Sequence, residues 1–305
     1  SVTIITITLQ EKGDYDVRKE FDDIQGKLDS ITGLPDGAGP VIFKKDFGDT
    51  AALMLTVATP KVGEVELSLR TQAIRKEIEA ARSSVKKGET LKDTIKNIAA
   101  MKINAVVVRH SSAGVPKYLT ECTDAVIINA GDGANEHPTQ ALLDMYSMRD
   151  HFGRLDGLKV VILGDIAHSR VARSNLWGLR TMGAKVTVCG PETLLPGNCE
   201  VFGCERTTNL KKALEGADVV MALRIQMERN AGASFPSLNE YRELYGINAE
   251  RLQWVGKDDF LVMHPGPINR GIEITTDAAD GSHSVILDQV TNGVAVRMAV
   301  LYLLG

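Results

Sequence analysis

A chain of 305 residues with 24% charged residues and a formal net charge of −4 can hold two or three domains around a sizeable core, and its mixed charge gives no sign of a nucleic-acid partner. No apolar stretch approaches the roughly 18 residues of a membrane span, and no charged-then-apolar leader opens the chain, so it reads as soluble and cytoplasmic; Ser1 in place of methionine suggests a processed product or a fragment. Cys122, Cys189, Cys199 and Cys204 are too scattered for a disulfide framework, and no second pair or nearby histidine joins Cys199 and Cys204, so no metal is expected.

Residues 2–9 alternate threonine with aliphatic residues, the period-2 pattern of a half-buried strand. Val17, Phe21, Ile24, Leu28 and Ile31 recur at helical spacing, and residues 34–40 are a turn by composition. Strand-like runs at 41–43 and 51–57 precede a second helix that ends near Arg82. The order β-α-β-β-α is that of a small α+β segment, and none of its residues forms a catalytic constellation.

The pattern changes at Ser83. Residues 83–90 form a polar loop containing Gly88, and residues 91–101 are helical by spacing. A buried strand at 104–108 ends in Arg109-His110, and a second apolar run at 125–128 leads into Asn129-Ala130-Gly131-Asp132-Gly133-Ala134-Asn135-Glu136-His137-Pro138-Thr139-Gln140. A helix starts at Pro138, where proline's missing N–H costs nothing, and runs to Arg149. His137 therefore stands at a strand-to-helix junction, where free N–H groups and the positive helix end favour a neutral imidazole and a nearby anion. The plainer reading is a capping loop with a packed histidine.

A second unit starts at Leu158. Strands at 159–165, 185–189, 219–222 and 260–263 alternate with helical stretches, the first of them opening at His168-Ser169-Arg170, which argues for a parallel sheet with crossover helices. Gly164-Asp165 lacks the closely spaced glycines of a dinucleotide-binding turn. Residues 290–304 are apolar and helical, long enough to pack across both units.

Arg109, Arg170, Arg224 and Arg270 fall just after expected strands and so should converge on one edge of two sheets, with Lys86 and Lys87 in a loop nearby. A lone arginine after a strand is usually a solvated charge; four at equivalent positions suggest a pocket for a multiply anionic ligand. No nucleophilic serine elbow, metal cluster or carboxylate pair accompanies them. The chemistry they suit is positioning and charge stabilisation.

The stretch from Asn129 to Gln140 closely resembles the signature of aspartate carbamoyltransferases, and from Ser83 onward several further motifs stand in that family's order. The resemblance implies two parallel-sheet α/β units of the aspartate/ornithine carbamoyltransferase type: residues 83–150 with 290–305 for carbamoyl phosphate, and 151–289 for L-aspartate. It implies that Arg109 and His137 hold carbamoyl phosphate, with Gln140 near its amide. Arg170 in His168-Ser169-Arg170 and Arg224 with Gln226 would grip the two carboxylates of aspartate. Pro265, Gly266 and Pro267 would turn backbone carbonyls to the substrate amine and amide, and Asn292-Gly293 is also family-like. Ser83 and Lys87 would belong to a mobile loop reaching the adjacent subunit's site in a homotrimer. The implied activity is carbamoyl transfer in pyrimidine biosynthesis, without a cofactor. Ornithine carbamoyltransferases carry a His-Cys-Leu-Pro loop where this chain has His264-Pro265-Gly266-Pro267.

Residues 1–82 are similar instead to a porter subdomain of resistance-nodulation-division efflux transporters, through Tyr15-Asp16-Val17-Arg18-Lys19-Glu20-Phe21-Asp22-Asp23-Ile24, Leu34-Pro35-Asp36-Gly37-Ala38 and Lys45-Asp46-Phe47-Gly48-Asp49. The carbamoyltransferase family's Ser-Thr-Arg-Thr phosphate turn is not found at its usual spacing before Ser83; Ser68-Leu69-Arg70-Thr71 is the nearest string and reads as coincidence. Little or no carbamoylation by this chain alone is therefore expected. The alternatives are a non-catalytic aspartate-binding or assembly protein and a chimeric chain.

Overall fold

The computed structural model describes residues 90–101, 103–225 and 237–304. The expectations for residues 1–82, and those for Ser83, Lys86, Lys87 and Gln226, lie outside the described residues.

Helix α1 (Leu91–Ala100) begins where the Thr90 hydroxyl accepts from the Asp93 N–H, and it turns Ile95 and Ile98 inward. Strand β1 (Ala105–His110), helix α2 (Val115–Thr120) and strand β2 (Val126–Asp132) follow. The two strands pair in parallel, Ala105 opposite Val126 and Val108 opposite Asn129. Val106 and Val108 point into a small core with Ile95, Ile98, Val115 and Leu119. Two details depart from the sequence reading. Arg109 lies within β1 rather than beyond it, and β2 continues past the apolar run into Asn129–Asp132, because after a register shift beyond Val108 the pairing resumes at His110 opposite Asp132. Backbone hydrogen bonding extends the strand there, where side-chain pattern had suggested a loop.

Helix α3 (Pro138–Phe152) starts on Pro138 and stops at Gly153, which takes the left-handed conformation (φ 69°) of a helix C-cap. The second unit then alternates β3 (Lys159–Leu163), α4 (Arg170–Thr181), β4 (Lys185–Cys189), α5 (Cys199–Phe202), β5 (Glu205–Thr207), α6 (Leu210–Leu214), β6 (Val219–Ala222), α7 (Leu238–Tyr245), α8 (Ala249–Leu252), β7 (Leu261–Met263) and α9 (Thr276–Ala279). The strands form one parallel sheet in the order β5-β4-β3-β6-β7. Val161 and Leu163 of β3 face one apolar cluster and Val160 and Ile162 the other, so the strand is buried on both faces and reads as an unbroken apolar run.

The strand order reverses between β3 and β6. Loops leaving adjacent strands there run to opposite sides, which opens a crevice at the C-terminal edge of the sheet. Helix α10 (Ile286–Leu304) ties the two units together. Its Asn292 Nδ2 donates to Ser147 Oγ of α3 at 2.9 Å, and its Gln289 Oε1 accepts from His264 N, just after β7, at 3.0 Å. Among the described residues, no helix is long and apolar enough to cross a membrane.

Candidate active site

The loop between β2 and α3 is organised by the buried carboxylate of Asp132. It accepts from Gly114 N at 2.7 Å, Asn129 Nδ2 at 2.9 Å, Asn135 Nδ2 at 3.0 Å and Glu136 N at 3.0 Å. Burial opposes the charge, but these donors together hold the carboxyl below its ordinary value. The polar residues of the motif are thus a scaffold that bends the chain toward His137.

His137 occupies the N-cap position of α3, and its own N–H donates to Ser174 Oγ of α4 at 2.8 Å. Ser174 in turn hydrogen-bonds the Glu136 carboxylate. Burial, followed by the positive charges of Arg170, Arg109 and Arg297, pushes the imidazole down to about 3. The ring is neutral at physiological pH, and the cause is burial and the arginines, where the sequence had pointed to the helix end. Its Nδ1 is buried and has no hydrogen-bond partner among the described residues.

Arg170 is the first residue of α4, in a turn shaped by Ser169, whose side chain accepts from Ala172 N, and by His168 Nδ1 on Asp165 Oδ1 at 2.8 Å. Its guanidinium lies on Gly131, where φ is +120° and a Cβ would come within 2.8 Å of Arg170 Cζ; its Nη1 also faces Gly133 O at 3.4 Å. Glycine is required at 131 for both reasons. Arg170 of the second unit and His137 of the first are thereby brought side by side.

Arg224 is half-buried just after β6, across the crevice from the loop that follows β3. Its neighbour Ile225 offers a carbonyl to Asn269 Nδ2 at 3.3 Å, which links this loop to the one after β7. In that second loop Gly266 N donates to His264 Nδ1 at 2.9 Å, Gly266 has φ +70°, and the Gly266–Pro267 bond is cis. Arg109 is exposed on β1, with its charge felt at His137.

Arg270 does not join this group. It is turned outward and paired with both oxygens of Asp280 at 2.8 Å, on the exposed surface. The expectation of four convergent arginines is corrected accordingly: Arg270 lies seven positions beyond the end of β7, far enough along the loop for its side chain to leave the sheet edge.

Arg297, which the sequence reading passed over, stands in its place. On α10 its Nη1 occupies the space beside Gly293, where a Cβ would lie 2.5 Å from it and 3.3 Å from Leu143 of α3. It is the one charged residue in the apolar stretch 290–304, and that isolation was the available signal. Asp144 was also missed; it is fully buried on α3 and accepts from Gln140 Nε2 at 2.9 Å. Among the described residues, no group of three or more His, Cys, Asp or Glu side chains could hold a metal ion.

Comparison with known proteins shows what the chain as a whole is similar to. Residues 56–150 match the carbamoyl-P binding domain of aspartate/ornithine carbamoyltransferases, and residues 156–304 match the Asp/Orn binding domain. The first match begins inside the segment 1–82 and takes in Ser68-Leu69-Arg70-Thr71. The aspartate carbamoyltransferase catalytic subunit of Syntrophobacter fumaroxidans is 58% identical over 228 residues, 75% of this chain and 74% of that protein. The corresponding subunit of Heliobacterium modesticaldum is 56% identical over 227 residues, 74% of this chain and 72% of the relative. Among solved structures, aspartate transcarbamoylase of Trypanosoma cruzi in complex with carbamoyl phosphate superposes with a TM-score of 0.64 at 30% identity, covering 73% of this chain and 72% of that one. The same enzyme with carbamoyl phosphate and aspartate gives a TM-score of 0.63 at 29% identity, covering 72% of each chain.

Proposed function

The chain belongs to the aspartate/ornithine carbamoyltransferase family, and from that premise we propose that it transfers the carbamoyl group of carbamoyl phosphate to the amine of L-aspartate, releasing N-carbamoyl-L-aspartate and phosphate. The observation that carries the residue assignments is a neutral histidine at a helix N-terminus, held among Arg170, Arg109 and Arg297. A neutral imidazole donates a hydrogen bond to a carbonyl oxygen without giving up a proton, and the surrounding guanidinium groups favour an anionic substrate.

In this reading His137 and Arg109 stabilise the carbamoyl oxygen as the aspartate amine attacks the carbamoyl carbon. A C–N bond forms, and the negative charge on that oxygen is relayed into the departing phosphate as the C–O bond breaks. The amine attacks in its neutral form, and the leaving phosphate takes up the proton that the new nitrogen sheds. Gln140 meets the carbamoyl amide, Arg170 and Arg224 with Gln226 hold the two aspartate carboxylates, and carbonyls of Pro265, Gly266 and Pro267 face the substrate amine and amide. We further propose a homotrimer in which Ser83 and Lys87 complete the neighbouring subunit's site, a cytoplasmic location, and a porter-like origin only for the part of residues 1–82 that precedes residue 56, where the carbamoyl-P domain match begins. Domain limits at 83–150 with 290–305, and at 151–289, belong to the same reading.

The test is incubation of the full chain with radiolabelled carbamoyl phosphate and either L-aspartate or L-ornithine. Label is expected in N-carbamoyl-L-aspartate and not in citrulline. The rate should fall at least about 10²–10³-fold short of the Syntrophobacter relative's, the usual consequence of losing one preorganised anion donor, because no Ser-Thr-Arg-Thr turn stands at the family spacing. A rate equal to the Syntrophobacter relative's would overturn the expected impairment, and no label together with no calorimetric binding of carbamoyl phosphate or L-aspartate would sink the proposal.

A further inference from the structure

Asp144 is the meeting point of three helices, α3, α4 and α10. On α3 it lies one helical turn beyond Gln140, which itself lies one turn beyond His137, so the three share a face. Its Oδ1 accepts from Gln140 Nε2 at 2.9 Å and from Gln289 Nε2 of α10 at 2.8 Å, and its Oδ2 accepts from Asn175 Nδ2 of α4 at 2.8 Å. Gln289 passes the link on, accepting from His264 N at the head of the Pro265-Gly266-Pro267 loop. All four side chains of this cluster are buried.

An ionised carboxylate has no hydrogen to give, so every amide that faces it must present its nitrogen. The orientation of these amides therefore follows from the chemistry of their shared neighbour. Burial raises the Asp144 carboxyl to about 6, against the hydrogen bonds from Asn175, Gln289 and Gln140 and the charge of Arg297, which leaves it mostly ionised at neutral pH. With Gln140 Nε2 committed to Asp144, Gln140 Oε1 is the end left to accept a hydrogen bond from a ligand.

We propose that Asp144 is a positioning residue that fixes the polarity of the Gln140 amide, so that an acceptor oxygen from Gln140 and a donor N–H from His137 together read a carbamoyl group and reject an acyl group of the same size. The inference rests on the carbamoyl-transfer reading and deepens it. A methyl group in place of the carbamoyl NH2 would leave Gln140 Oε1 buried without a donor, which is how a polar site discriminates against an isostere.

Two measurements on the full chain separate this inference from the reading beneath it. The first is calorimetric affinity for carbamoyl phosphate, acetyl phosphate and inorganic phosphate, in the wild type, Asp144→Asn, Gln140→Ala and the double variant. The wild type should prefer carbamoyl over acetyl phosphate. Asp144→Asn, which can face Gln140 with its own Nδ2 and let that amide turn over, should reduce the preference about 10- to 100-fold. Affinity for inorganic phosphate should change by less than about threefold, and the double variant should lose no more preference than Gln140→Ala alone. The second measurement needs no variant: the side-chain NH2 groups of Gln140, Gln289 and Asn175, followed by NMR in the ligand-free protein, should exchange with solvent far more slowly than exposed amides. Slow exchange in a protein that binds no carbamoyl phosphate would overturn the functional reading and uphold the positioning of Gln140. Carbamoyl phosphate bound with a preference that survives Asp144→Asn, or a Gln140 NH2 that exchanges freely, would overturn the inference and leave the functional reading intact.

Discussion

The half of the described chain built on β3 to β7 and the half built on β1 and β2 differ in how completely their apolar surface is covered. In β3, residues 160–163 are at most 2% exposed, enclosed by clusters on both faces of the sheet. In β1 and β2, Val106 and Val108 are buried but Val107 and Ile127 are only half-covered, and α10 leaves Leu287, Val290, Val294 and Met298 at least 60% exposed. The active-site candidates draw on both halves: Arg170 and Arg224 from the enclosed sheet, His137 and Arg109 from the more open one. The contrast teaches that cohesion and chemistry are separable here. Substitutions in the enclosed half should report on stability, and those along its C-terminal edge on ligand binding.

The largest expected effect tests that edge. Arg170→Ala removes a guanidinium seated on Gly131 beside His137, the group proposed above to hold an aspartate carboxylate, and truncating one partner of such an interfacial pair typically costs about 2–5 kcal/mol. Affinity for L-aspartate should fall about 10²–10³-fold with little change in melting temperature. Arg270→Ala should alter it by less than about twofold, since its pair with Asp280 is exposed, screened by solvent and turned away from the crevice. Equal losses from the two variants would restore the four-arginine pocket and remove the contrast between edge and surface.

The next effect sharpens the contrast in cover. Ile162→Ala, at a side chain with no exposure, should cost about 2–5 kcal/mol in urea unfolding through lost burial and the cavity left behind. Leu287→Ala, at 80% exposure, should stay within about 0.5 kcal/mol. A cost at Leu287 that approaches the one at Ile162 would mean that the α10 face is covered in solution and the two halves are equally enclosed.

The same contrast governs what could be read from the sequence. Strands β4 and β6 match their expected limits residue for residue: in β6 all four apolar residues are buried, and in β4 Val186, Val188 and Cys189 are buried around a half-buried Thr187. Strand β5 was missed: three residues, Glu205, Arg206 and Thr207, on an edge, too short and too exposed to show a period. Helix α2 was missed for a similar reason, since six residues complete less than two turns and its capping Gly114 resembles any turn glycine. The His137 junction was legible because Pro138 announces a helix start. Asp144 was not, because a carboxylate among Leu142, Leu143 and Met145 reads as the polar face of an amphipathic helix until α4 and α10 are seen to close over it. Periodicity reports what one element buries, whereas a hub depends on which elements meet.

A smaller effect is expected at the seam between the halves. Ser174 Oγ accepts the His137 N–H and is bonded to Glu136, joining the first turn of α3 to α4. Ser174→Ala leaves that N–H without its acceptor in a buried setting and should cost about 1–3 kcal/mol, measured by urea unfolding. Ser174→Thr, if the added methyl is accommodated, should recover most of the loss.

The smallest and most specific effect concerns pH, and it sets two groups of α3 against each other. His137 titrates near 3 in the fold against an ordinary 6.5, so between those values the unfolded chain binds a proton that the native ring refuses, and stability falls as pH drops from about 6.5. Asp144 titrates near 6 in the fold against 3.8, so between those values the native carboxyl holds a proton that the unfolded one has lost, and stability rises as pH drops through about 6. Each slope is of order 1 kcal/mol per pH unit at most, and in the wild type they oppose each other over most of this window. His137→Gln should therefore gain stability relative to the wild type as pH is lowered from 6.5 to 5, and Asp144→Asn should lose it. Melting temperatures of the three proteins across that range measure the divergence. Parallel curves would mean that neither group is as enclosed as its surroundings indicate, and the open half of the molecule would then include α3 itself.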